Sequence, residues 1–152
     1  MGNYRLIVLS VILAALMYVT NPFFTFESGM NKDLVDYWDR EITTIKKTCK
    51  GGVRLPTNIL VDFGDTDDAI GYCQKYPNGF KIVLNKNKWY YGLDDIGRRQ
   101  LLLHEMCHCI FNIKHNERDE NHFMYPEYIK LDEKSLLIQL EETIKSSSNC
   151  LN

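Results

Sequence analysis

Two histidines four residues apart, with a glutamate beside the first, are the part of this chain best equipped for chemistry: His104, Glu105 and His108. On a helix, side chains at that spacing share one face, so both imidazoles reach a single ion at about 2.0–2.1 Å. Glu105 sits one residue on, where its carboxylate meets a water on the ion without binding the ion itself. Zinc lowers the pKa of such a water towards 7, and the carboxylate takes its proton as the water attacks a carbonyl. The segment around the motif is apolar, with Leu101 to Leu103 before it and Ile110-Phe111 after it. Imidazoles buried in such surroundings need partners.

A catalytic zinc takes three protein ligands and keeps one position for water. His115 is the leading third ligand. It follows Asn112, and asparagine is the residue after glycine that best tolerates left-handed backbone. The helix can therefore stop at Asn112 and turn the chain back towards the metal. His122 and Glu127 are the alternatives, and Glu127 would give a His-His-Glu set.

The elements that must position these groups follow from periodicity. Leu34, Val35, Trp38, Ile42 and Ile45 recur at three- and four-residue spacing and predict a helix capped by Asn31 and closed before Gly51-Gly52. Ile59 to Phe63 reads as a strand ending in a turn-rich acidic stretch. Pro77-Asn78-Gly79 marks a turn, with a strand over Phe80 to Leu84 after it and a shorter hairpin partner over Gly71 to Gln74 before it. Asp94 or Asp95 caps the metal-binding helix, which runs to about Phe111. An irregular stretch from Asn112 to Asn121 precedes a last helix that starts near Asp132 and carries Leu136, Leu137, Leu140 and Ile144. The expected fold is α+β: a small mixed sheet, an N-terminal helix, the metal-binding helix and a C-terminal helix.

The resemblance now becomes specific. HEMCHCIFNIKH (104–115) followed by FMYPEY (123–128) is similar to the metzincin zinc peptidases, with their H-E-x-x-H-x-x-G-x-x-H pattern and downstream methionine turn. Within that clan it looks most like the matrixins. The likeness is loose over residues 57 to 145 and close over 100 to 128. It implies a zinc metalloendopeptidase with one catalytic Zn2+ and a peptide or protein substrate. Met124 would be the methionine of the turn, although an apolar turn also buries a methionine for packing alone. Pro126, Glu127 and Tyr128 would wall the pocket for the residue after the cut bond. Phe80 to Leu84 would resemble the edge strand along which an extended substrate pairs. Two departures stand out. Phe111 occupies the family's glycine position, and His115 lies eleven residues beyond His104 where the family has ten. The extra structural zinc and calcium sites of matrixins are not expected in so short a chain.

Composition bounds the alternatives. The 152 residues carry a formal net charge of -2 and no basic stripe, which speaks against a nucleic-acid partner. Arg5 and the apolar run Leu6 to Val19 make residues 1–26 a cleaved signal peptide or an uncleaved membrane anchor, with a buried core helix as the remaining alternative. Residues 27–152 form the expected peptidase domain, a monomer outside the cytosol, touching a membrane only through an uncleaved N-terminal segment. The five cysteines contain no C-x-x-C pair. In an oxidising compartment they fit two disulfides and one leftover thiol. Spacing alone does not assign the pairs; the expectation is Cys73 with Cys109 and Cys49 with Cys150, with Cys107 a buried thiol. Five reduced, buried cysteines are the alternative. Asp62, Asp65, Asp67 and Asp68 lack EF-hand spacing and read as a solvated turn. Trp89-Tyr90-Tyr91 reads as packing at a helix entrance. Two rival functions remain. One is a non-catalytic, zinc-stabilised extracytoplasmic binding module, which Cys107 or Cys109 as a fourth ligand would favour. The other is a zinc hydrolase acting on a non-peptide amide.

Overall fold

The computed structural model describes residues 28–145 and 147–151, so the apolar N-terminal segment lies outside the described residues. The elements run β1 (Gly29–Met30), a 3-10 turn (Lys32–Leu34), α1 (Val35–Thr48), β2 (Asn58–Gly64), β3 (Gly71–Tyr76), β4 (Gly79–Asn85), a wide turn (Lys88–Gly92), α2 (Asp95–Phe111) and α3 (Glu133–Ile144). The four strands form one mixed sheet in the order β1-β2-β4-β3. β1 and β4 flank β2 in parallel, and β3 pairs antiparallel with β4. The architecture is α+β with a small sheet, as the alternation of patterns predicts.

The strand order corrects one expectation. Phe80 to Leu84 is not an edge: β4 pairs on both sides and is buried along most of its length. The hairpin partner, β3, forms the outer edge beside α2. Both strands are short and bounded by turns, so periodicity finds them without ordering them. At Gly79 a Cβ would lie 1.9 Å from the Asn58 carbonyl oxygen, so only glycine lets β4 begin against β2.

The helices cover the sheet through apolar stripes. α1 buries Trp38, Ile42 and Ile45, and Leu34 is buried in the turn before it. Val35, expected on that stripe, is 37% exposed, because the α-helix starts there with its side chain turned outward. Asn31 caps the preceding turn through Asp33 N–H. Asp132 caps α3 through Ser135 N–H, and Leu136, Leu140 and Ile144 face inward while Leu137 is 36% exposed. One guanidinium joins all three helices. Arg99 on α2 donates to Glu41 on α1 at 2.6 Å and to Glu133 at the start of α3. Arg99 and Glu41 are both buried, which matches charge with charge where water is excluded.

Two disulfides complete the frame. Cys73–Cys109 ties β3 to α2, and Cys49–Cys150 ties the end of α1 to the end of the chain. Cys107 is free and buried. Two disulfides suit an oxidising, extracytoplasmic environment. Among the described residues, no helix is long and apolar enough to cross a membrane.

Candidate metal centre

α2 supplies two of three converging imidazoles. Asp94 accepts from Gly97 N–H at 2.9 Å and starts the helix. Leu101, Leu102, Leu103 and Met106 anchor it in the core, leaving His104 and His108 half-buried on its open side. The helix ends at Asn112, which is left-handed (φ 58°, ψ 30°), with its N–H and that of Ile113 both returning to the Cys107 carbonyl. Asparagine thus holds the left-handed position, and its Oδ1 accepts from Lys75 Nζ on β3 at 2.7 Å. The turn after Asn112 brings His115 back over the helix.

The Nε2 atoms of His104, His108 and His115 lie 3.0, 3.1 and 3.2 Å from one another. His104 Nδ1 lies 2.8 Å from the Phe123 carbonyl oxygen, and His108 Nδ1 lies 2.6 Å from that of Ile113. A carbonyl oxygen only accepts, so each Nδ1 carries a hydrogen, and in the neutral rings each Nε2 carries a lone pair. Lone pairs so close repel unless an electron-pair acceptor lies among them. An ion about 2.0–2.1 Å from each nitrogen at tetrahedral angles sets them about 3.3–3.4 Å apart, close to the separations observed. The residues therefore fit a metal ion. Burial, with smaller contributions from the neighbouring imidazoles, holds the His104 pKa down to about 4, and burial also lowers that of His108. Both rings stay neutral, as metal ligands must.

Glu105 is 4% exposed, and its Oε2 has no hydrogen-bond partner. Burial raises its pKa to about 8. Gly71 on β3 makes room for it: a Cβ there would come within 3.2 Å of Glu105 Oε1. A cavity of about 340 Å3 opens beside His104 and Glu105, and Pro126, Glu127 and Tyr128 line it.

Of the alternative ligands, neither joins the trio. His122 Nδ1 accepts from Met124 N–H at 3.0 Å, and its Nε2 meets Thr143 Oγ1. Glu127 stands on the cavity wall. Met124 is fully buried in the core, in a turn that serves the site twice. The Phe123 carbonyl holds His104, and the Met124 carbonyl accepts from Asn116 N–H at 2.8 Å, next to His115. Cys109 is in a disulfide, and Cys107 is outside the cluster. Trp89 is buried against Tyr37 and Phe63 at the entrance to α2, and its carbonyl accepts from Arg98. The acidic turn is held by local bonds such as Asp67 N–H to Asp65 at 3.1 Å.

Sequence reasoning missed the carbonyls of Phe123 and Ile113, which no residue type marks. It also missed Gly71, Lys75 and Gln100. Gln100 had a usable signal, since it lies four residues before His104 and so on the same helix face. Compared with protein-family models, curated proteins and solved structures, the chain matches none of them.

Proposed function

We propose that this chain is a zinc-dependent peptide hydrolase of metzincin type, acting outside the cytosol. One observation carries the reading: three imidazole Nε2 atoms converge beside a buried carboxylate oxygen that has no partner of its own. His104, His108 and His115 would hold a zinc ion, which would supply the Lewis acidity that acidifies a water and polarises a carbonyl. Glu105 accepts the water's proton at Oε2 as that water attacks the peptide carbonyl. The same carboxyl then delivers the proton to the leaving amine nitrogen. β3 offers its outer edge for pairing with an extended substrate, the role the sequence had suggested for Phe80 to Leu84. The buried Met124 and the cavity wall at Pro126, Glu127 and Tyr128 support the likeness to matrixins.

A non-catalytic, zinc-stabilised binding module is the rival. Structural zinc sites are closed by four protein ligands, whereas three groups cluster among the described residues. A structural site also has no use for a base. The test is direct. The purified protein should hold about one zinc per chain, and Glu105→Gln should keep the metal while peptide cleavage falls by about 10²–10⁴-fold. Full cleavage by that variant would refute the mechanism.

A further inference from the structure

A second buried oxygen without a partner belongs to Gln100, which lines the cavity beside Glu105. Gln100 is 3% exposed, and its Nε2 donates to the Ile129 carbonyl at 2.7 Å. Because that carbonyl only accepts, the orientation of the amide is fixed, and Oε1 is left without a hydrogen bond. A buried acceptor in that condition costs stability unless an incoming group donates to it. Gln100 lines the same cavity as His104 and Glu105.

The rest of the cavity narrows the choice of donor. Ile70, Leu101 and Phe123 give it apolar walls, and Asp68 and Glu127 add carboxylates. Among the described residues, no lysine or arginine lines it. Across His115 the surface changes sign: an open groove there is lined by Lys75, Lys114 and Arg118, with Glu117 the one carboxylate among the described residues. His115 borders both, so the cleft has an acidic and a basic side about the three imidazoles.

Resting on the hydrolase reading, we infer that the cavity selects a long cationic side chain, lysine or arginine, whose donors are received by Gln100 Oε1. The stem packs on the apolar walls, as long basic side chains do. The basic groove repels the same residue, so the charge pattern also sets the direction in which a peptide lies across the site.

The experiment uses blocked hexapeptides of alanine and glycine that carry one lysine, norleucine or glutamate. Norleucine keeps the stem and removes the donor. Binding is read by calorimetry with chelator present, so that it does not depend on turnover, and cleavage is read separately with zinc restored. Lysine should exceed norleucine on the order of tenfold in affinity, with glutamate weakest, because a site built to receive a donor discriminates against its absence. Gln100→Leu should reverse the order of lysine and norleucine, and Gln100→Glu should widen the lysine preference. Circular dichroism and zinc content confirm that each variant is folded. Norleucine binding as well as lysine in the unaltered protein, or a ratio unchanged in both variants, would overturn the inference, as would failure of every peptide to bind. Selective binding of lysine with no cleavage of any peptide would leave the inference standing and remove the hydrolase reading.

Discussion

Glu105 and His104 are neighbours with opposite needs. In the metal-free protein burial keeps the His104 imidazole neutral down to about pH 4 and the Glu105 carboxyl protonated up to about pH 8. In the unfolded chain these groups titrate near 6.5 and 4.5. His104 therefore makes stability rise with pH between 4 and 6.5, and Glu105 makes it fall between 4.5 and 8. Up to pH 6.5 His104, joined by His108 and His122, whose pKa values burial also lowers, opposes Glu105, and above it the Glu105 contribution is left. Urea unfolding with chelator present should thus find the metal-free protein losing about 2 kcal/mol between pH 6.5 and 8. Glu105→Gln should flatten that decline. A wild-type curve that is level or rising over the window would show that the carboxyl is already ionised there. A bound cation works the other way, since it favours the ionised carboxylate and neutral rings, so zinc should stabilise the protein more as pH rises.

The end of α2 decides whether two helical histidines become a three-histidine site. Asn112 is left-handed and bonded to Lys75, so both its backbone and its side chain serve the turn. Asn112→Ala should cost about 1–2 kcal/mol from the backbone alone. It should also weaken zinc binding, measured by competition with a chromophoric chelator, because His115 enters from that turn. Asn112→Gly keeps the turn and should retain most of the affinity. Equal zinc affinity in the alanine variant would detach the turn from the site. This element also marks what could be read in advance. His104 and His108 were legible because helical spacing is local, and His115 because asparagine marks a place to turn. The edge strand was misassigned because sheet order is set by distant pairings, and β3 and β4 look alike as short runs. Val35 and Leu137 sat within apolar patterns yet face outward, since a stripe is wider in sequence than the face that is buried. The carbonyls that orient the rings leave no trace in residue type at all.

The whole molecule depends on a few long-range ties more than on a large sheet. Arg99 binds three helices at one guanidinium, and the Cys49–Cys150 bridge spans 101 residues of sequence. A crosslink closing so long a loop restricts the unfolded chain strongly, by about 3–5 kcal/mol. Cys49→Ser with Cys150→Ser should lower unfolding stability by that order in a urea titration, while zinc stoichiometry stays the same because neither cysteine belongs to the imidazole cluster. A change below about 0.5 kcal/mol would mean that packing alone holds the ends. The same bridge has another consequence. It makes one covalent ring of the chain from the end of the first helix to Cys150, including every loop around the cleft. A single cut in any of those loops leaves both fragments attached. For a chain that we propose works among peptidases, its own copies included, nicking and falling apart become separate events.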